Sequence, residues 1–366
     1  MPIGLDPRVA RVARRLSAAA ARYDAPVGRV ALRALRLRAR GWRLGDMAAA
    51  GLLDPRGKPS SKPWAVVPRH LERLQEAINP PEAVPLCEDK RRFDEACRRF
   101  GLPTPALAAT LERAPDPGAT ARDWAALLAE CAPAEFVVKP VDGHRGIGVR
   151  VLARSPEGAV EHGGRALSWA ELGAELAGER HPAYVVQERM HPHPELVRLT
   201  GSPALQTIRV MTLVEPDGQA RVMAWGIRLA IGDQPIDSFQ SGATGNLWAT
   251  LNDDGSMSTP ITVGPGGFEF VYVPRHPVTG IPLAGVTVPG WEEARELSLR
   301  AARAFSMLPA VGWDVAVTPS AVVLTEGNAW WSLLDPNGPI HGVAADLRAS
   351  IRARGGTLPR ALRGRA

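Results

Sequence analysis

The chain has 366 residues, 45% hydrophobic and 22% charged, at a mean hydropathy of −0.10, which allows two or three domains with ample core. No charge-free apolar run reaches the roughly 18 residues of a membrane span, and the first residues lack a basic-then-apolar leader, so neither a transmembrane segment nor a signal peptide is expected. The net charge of +6 and pI near 9.7 come from arginines crowded at both ends, but no nucleic-acid motif or interleaved aromatics accompany them, so nucleic acid is not an expected partner.

Residues 6–43 read as two helices, with Val9, Val12, Leu16, Ala20 and Tyr23, then Val30, Leu32, Leu35 and Leu37, at helical spacing and Gly41 as a stop. An amphipathic first helix can lie on a membrane surface, but packing on the next domain is the expected arrangement. Residues 44–86 are mixed, with a helix near Val67–Ile78 closed by Asn79-Pro80-Pro81. From Cys87 short helices and strands alternate. A helix over Glu88–Phe100 stops at Gly101, and Thr120 caps another through Ala132. Strands at Glu135–Pro140 and Gly148–Ala153 flank a glycine turn, Ser168 and Glu171 form a capping box, and Tyr184–Glu188 is a short buried strand. Long alternating strands at Leu205–Val214 and Ala220–Leu229 join through Glu215-Pro216-Asp217-Gly218. A glycine-containing stretch at Phe239–Leu247 and a loop-rich segment at Pro260–Pro289 precede a helix at Trp291–Phe305. A final hairpin runs Val311–Val317 and Val322–Asn328 about a turn at Thr318–Ser320. Long antiparallel pairs mixed with helices make the fold class α+β.

Cys87, Cys97 and Cys131 fit neither a disulfide framework nor a zinc site and read as core residues in a reducing cytoplasm. Of 44 lysines and arginines only four are lysine: Lys58, Lys62, Lys90 and Lys139. A chain that uses arginine almost everywhere keeps lysine where a compact ammonium is needed. Lys58 and Lys62 sit in a polar, proline-containing stretch that needs no such explanation. Lys90 and Lys139 adjoin the strongest motifs.

In Val138-Lys139-Pro140-Val141-Asp142-Gly143-His144-Arg145-Gly146-Ile147-Gly148-Val149 a lysine ends one strand, three glycines follow, and a second strand resumes. Glycines let backbone N–H groups turn toward one point and a polyanion approach closely. The pattern is not the G-x-x-x-x-G-K-[ST] loop that opens a helix. The second constellation is Trp313-Asp314 with Glu326-Gly327-Asn328. Glu326 and Asn328 are two apart on a strand and share a face. The midpoint of 314 and 326 lies inside the turn, which sets Asp314 nearly opposite Glu326. Three oxygen-bearing side chains then converge, as a hard cation such as Mg²⁺ requires, and two carboxylates side by side call for a cation.

In this order the lysines, glycine loop, Gln187-Glu188 strand end, Thr207-Ile208-Arg209, Asp237, Gly242, Trp313-Asp314 and Glu326-Gly327-Asn328 resemble the ATP-grasp superfamily, and in finer pattern its sugar-transfer-associated group, over about residues 85–345. The resemblance implies an ATP-grasp fold, two α+β subdomains gripping ATP, with residues 86–190 carrying the lid and 191–350 the Mg²⁺ site. A helical region at 1–85 would precede them and a basic tail at 351–366 follow. It implies that Lys90 and Lys139 contact the ATP phosphates under a lid formed by Gly143, Gly146 and Gly148. Gln187, Glu188 and Met190 would meet the adenine, Glu195 the ribose, and Asp314, Glu326 and Asn328 would hold Mg²⁺. Arg209 and Lys139 would be catalytic, and Arg209, Arg228, Asp237 and Gly242 would line the acceptor side. His144 and Arg145 in the lid would touch substrate or phosphate, or face water. The implied activity is ligation of a small carboxylate to an amine through an acyl phosphate, on a glycan-related or amino-acid-like substrate. A phosphotransferase and a nucleotide-binding module without turnover remain as alternatives.

Overall fold

The computed structural model describes residues 6–57, 66–144, 146–332, 335–336, 340–359 and 362; Lys58, Lys62 and Arg145 lie outside them. Three helices open the chain: α1 (Pro7–Arg22), α2 (Val27–Ala39) and α3 (Leu44–Ala49). Their apolar sides, among them Tyr23, Val30, Leu37 and Met47, close on one another and on Phe268. After α4 (Pro68–Ile78) and α5 (Pro85–Glu88), Asp89 caps α6 (Lys90–Arg99) by accepting the Arg91 and Arg92 amides. That cap makes Lys90 the first residue of α6, and Gly101 at φ +65° ends the turn beyond it.

The first sheet joins β1 (Leu107–Glu112), β2 (Glu135–Pro140), β3 (Arg150–Ser155), β4 (Gly158–Glu161), β5 (Ala166–Ser168) and β6 (Ala183–Glu188). All pairs are antiparallel, in the order β1-β6-β2-β3-β4-β5. One face is covered by α7 (Pro117–Cys131) and α8 (Trp169–Gly178), which bury Trp124, Leu128, Leu172 and Leu176 against Phe136, Val138 and Tyr184. The capping box expected at Ser168 and Glu171 opens α8. Thr120 does not cap α7. Asp116 does, accepting from Gly118 and Ala119, because Pro117 is preorganised for the first helical position. Thr120 turns its hydroxyl back onto the Ala114 and Asp116 carbonyls.

The short α9 (Pro194–Thr200) leads to the second sheet. Its strands are β7 (Thr207–Val214), β8 (Ala220–Leu229), β9 (Leu247–Thr250), β10 (Ile261–Gly264), β11 (Phe268–Tyr272), β12 (Ala310–Val317) and β13 (Val322–Asn328). They run β11-β10-β9-β8-β7-β12-β13. On one face α6 and α10 (Trp291–Ala304) bury Phe93, Leu297 and Phe305 against Ile208, Trp313, Val315 and Leu324. The other face is only half covered: α4 and α11 (Ile340–Ala353) pack Leu74, Ile78, Val343 and Leu347 on Met211, Leu213 and Trp248. The uncovered half looks onto the first sheet and carries the polar residues described below.

Three expectations change. The segment expected to be loop-rich at 260–289 contains β10 and β11, whose register breaks between Val263 and Gly264 and so hides the alternation. α11 runs through the boundary expected at residue 350, and Ile351, Leu358 and Leu362 of the expected basic tail are buried. α4, placed with the N-terminal helices, shares its core with the second sheet. Among the described residues no helix is long and apolar enough to cross a membrane.

Trp313 is fully buried between the Phe93 and Phe305 rings and donates its indole N–H to Thr212. Trp313→Ala is expected to destabilise the fold by about 3–5 kcal/mol, read as a lowered urea midpoint.

Candidate active site

The uncovered half of the second sheet is organised by a bulge. The β12–β13 turn pairs Val317 with Val322 and Val315 with Leu324, a register that would set Asp314 against Thr325. An extra residue on β13 shifts it, so Asp314 faces Glu326 and Gly312 faces Asn328. Leu324 and Glu326 are two apart, yet Leu324 is buried beside Trp313 while Glu326 lines the cleft. The Thr325 hydroxyl holds the bulge by donating to the Asp314 carbonyl at 3.1 Å. Asn328 donates its amide to Gly312 O at 3.3 Å, which leaves its carbonyl oxygen for another partner.

Asp314 is the hub. Arg209, its neighbour on β7, donates Nε to Oδ1 and Nη2 to Oδ2, the latter at 2.9 Å. Arg228 on β8 adds Nη2 to Oδ1 at 2.6 Å. Burial pushes the Asp314 carboxyl up, but the two guanidiniums outweigh it and hold it below the usual range. Arg228 also donates to Thr207 Oγ1 at 3.1 Å and lies 3.8 Å from Asp237. Asp237 accepts the Thr207 amide at 2.7 Å and hydroxyl at 2.6 Å. Burial raises the Asp237 carboxyl even so, with Arg228 offsetting part of the rise.

Lys139, near the end of β2, lines the cleft from the opposite sheet, and its ammonium forms no hydrogen bond or ion pair among the described residues. Burial lowers its pKa, opposed by the Glu326, Asp314 and Asp237 charges. Lys90 donates to Gly143 O at 2.7 Å and stands 3.6 Å from Glu326, so one ammonium links α6, the glycine loop and β13. At two glycines of that loop any side chain would be strained. Gly146 and Gly148 hold φ of +73° and +74°, and a Cβ would come 2.3 Å from Ile236 and 2.7 Å from Pro140. On Gly242, at φ +82°, a Cβ would come 2.5 Å from the Val263 backbone nitrogen.

These groups wall a cleft of about 1350 Å³ between the sheets. Lys139, Gly146, Gln187, Glu188, Met190, Arg209, Arg228, Asp237, Gly242, Asp314, Glu326 and Asn328 all line it. Lys90 and Gly143 adjoin it through a small pocket shared with Glu326 and Asn328. Glu195 does not belong: it lies on α9, away from the lining, and pairs with Arg198 at 2.5 Å. Its position, at an i,i+3 spacing from an arginine on a short surface helix, accounts for this.

Sequence reasoning missed Glu88. It accepts the Ala329 amide at 2.8 Å, pinning the end of β13, and stands 3.5 Å from His144 of the glycine loop. Burial raises its carboxyl pKa. Nothing in its local spacing distinguishes it from an ordinary surface acid. The far wall was missed too: Arg15 of α1, Arg43 just before α3, Glu72 of α4, and Trp330 and Trp331 after β13 also line the cleft. The adjacent tryptophans just past Asn328 were the available signal. Burial pushes Cys97 up to about 12 and Cys87 up as well, which removes both as nucleophiles.

Two antiparallel sheets facing each other, one bringing a lysine and a glycine loop and the other an oxygen-rich hairpin, define an ATP-grasp fold. The chain belongs to the sugar-transfer associated ATP-grasp family, whose sequence model matches residues 69–339, beginning within α4. No curated protein matches the chain. Solved structures similar to it include a biotin carboxylase–β-γ-ATP complex from Campylobacter jejuni, at 14% identity and TM-score 0.42, covering 78% of this chain and 50% of that one. The VanG D-Ala:D-Ser ligase from Enterococcus faecalis is similar at 14% identity and TM-score 0.38, covering 73% and 61%. A biotin carboxylase domain of the 2-oxoglutarate carboxylase from Hydrogenobacter thermophilus, solved with MgADP, is similar at 15% identity and TM-score 0.40, covering 77% and 49%. The chain thus spans about half to three-fifths of those proteins' length.

Asp314→Asn leaves two guanidiniums short of their counter-charge and is expected to cost about 3–5 kcal/mol at neutral pH. The folded Asp314 carboxyl titrates below its unfolded value of about 3.9, so its contribution is complete above that pH and lost as the pH falls through the folded value. Urea midpoints of the two proteins should therefore converge below about pH 4.

Proposed function

We propose that the cleft binds Mg-ATP and uses it to join a small carboxylate to an amine. The observation that carries the reading is the Lys139 ammonium, which has no hydrogen bond or ion pair among the described residues and faces the Asp314–Glu326–Asn328 hairpin across the cleft. A partly buried cation with unsatisfied donors is costly, and a polyphosphate oxygen supplies an acceptor. The donor set also fits a metal. The Asn328 carbonyl is free, and Asp314 accepts three hydrogen bonds of the about four a carboxylate can take, leaving a lone pair on Oδ2. Mg²⁺ there would neutralise polyphosphate charge, held by Asp314, Glu326 and Asn328.

In this reading Lys90 and Lys139 bind phosphate oxygens and the Gly143–Gly148 loop closes over them, while Gln187, Glu188 and Met190 receive the base. Arg209 and Arg228 stabilise charge on the transferred phosphoryl group. A substrate carboxylate oxygen forms a bond to the γ-phosphorus as the bond to the bridging oxygen breaks and ADP leaves. The amine nitrogen then bonds to the acyl carbon, the carbon–oxygen bond to phosphate breaks, and the amine loses a proton. Positioning and charge neutralisation do the work, and no side chain acts as nucleophile.

Residues 86–190 then carry the lid and the second sheet the metal side, and Arg15, Arg43 and Glu72 reach the far wall of the cleft. That wall includes the exposed Trp330 with Arg15, Arg43 and Glu72, which supports a ring-bearing, polar acceptor such as a glycan-related molecule. Three free cysteines support action in a reducing cytoplasm.

Lys139→Ala is expected to weaken Mg-ATP binding about 10- to 100-fold, and Glu326→Ala to abolish its Mg²⁺ dependence, by calorimetry. Unchanged binding in both would sink the site assignment. A screen of carboxylates with amines should release ADP and phosphate only when both are present, with the joined product seen by mass. A stable phosphorylated product from one substrate alone would make the protein a kinase instead.

A further inference from the structure

We propose that the outward face of α2 docks the protein on an anionic lipid bilayer. α2 has two apolar stripes. Val30, Ala34 and Leu37 are buried in the N-terminal core. At a period of about 3.6 residues, Gly28, Leu32, Leu35 and Ala39 share the opposite side. Leu32 is 48% exposed and Leu35 67% exposed, so this second stripe meets solvent. A helix packed on a domain ordinarily shows one apolar stripe and a polar back. Here the back is leucine.

The charges flanking that stripe say what covers it. α1 and α2 together contain nine arginines and no aspartate or glutamate. Some of these serve the fold: Arg22 pairs with Glu269, and Arg33 donates to Gly57 O at 2.8 Å. Arg29, Arg36 and Arg38, which border the leucine stripe, are exposed and make no ion pair or hydrogen bond among the described residues. A nucleic acid would engage those guanidiniums but leave Leu32 and Leu35 in water. A second copy of the chain would bury the leucines but bring two arginine-flanked stripes together. An anionic bilayer takes both, with leucines at the acyl boundary and guanidiniums at the headgroup phosphates. No α2 residue lines the cleft, so docking leaves the cleft open and the proposal does not depend on what the cleft binds.

The test is co-sedimentation of the full chain with vesicles of phosphatidylglycerol mixed with phosphatidylcholine, against pure phosphatidylcholine. The expected result is binding to the mixed vesicles alone, weakening as salt rises. Arg29→Ala and Arg36→Ala should each lower affinity about five-fold. Leu32→Ser combined with Leu35→Ser should lower it about ten-fold or more. These side chains are exposed, so an unchanged thermal melt should confirm an intact fold. The proposal is overturned by absent binding to the anionic vesicles, or by binding that the double leucine variant leaves unchanged. A dimer of the free protein that the same variant dissolves would also overturn it, assigning the stripe to a second copy.

Discussion

The site depends on one buried electrostatic arrangement, the Asp314 carboxylate held between Arg209 and Arg228. These residues come from β12, β7 and β8, three neighbouring strands whose register decides whether they meet. A charge taken from water into such a place is costly unless it is paired and hydrogen-bonded throughout. Asp314 satisfies that condition through three donors. Arg228 passes the constraint on to Thr207 and Asp237, and so fixes the segment that meets the glycine loop at Ile236. A one-residue slip on any of these strands would send a guanidinium or a carboxylate into the aromatic core behind the sheet.

Much of this arrangement is legible in the sequence, because charge on an otherwise apolar strand is conspicuous. Arg209, Asp314, Glu326 and Asn328 stand out in β-rich segments, and the scarcity of lysine marks Lys90 and Lys139. The midpoint of 314 and 326 found the right pair, but regular pairing from the turn would have set Asp314 against Thr325. A bulge repaired the difference, and no residue type announces a bulge at Thr325. Nothing local distinguishes Arg228 from the other 39 arginines in the chain; its hydrogen bonds to Thr207 and Asp314 do.

The N-terminal helices show where sequence reading stops. The existence of α1 and α2 follows from periodicity and Gly41, but α3 and what the three helices cover do not. Arg15 reaches Gly267 O at 3.2 Å and Arg22 reaches Glu269, both on the β10–β11 hairpin, across about 250 residues of chain. Such contacts are set by tertiary packing, and the hairpin itself was hidden by its broken alternation. For the same reason α4 reads as one more N-terminal helix, although its Leu74 and Ile78 belong to the core of the second sheet.

The balance of charge around the β12–β13 hairpin bears on what can enter. Lys90, Lys139, Arg209 and Arg228 stand against Glu88, Asp237, Asp314 and Glu326, four cations and four carboxylates. A bare polyanion would gain the lysines but approach the carboxylates, and a bare divalent cation would gain the carboxylates but approach the guanidiniums. A metal–polyphosphate pair carries both signs in one object and meets each with its opposite. In the proposed reading, then, the arginines bound to Asp314 are compatible with a metal there: they balance the acidic hairpin, and the metal–polyphosphate pair would bring its own counter-charges.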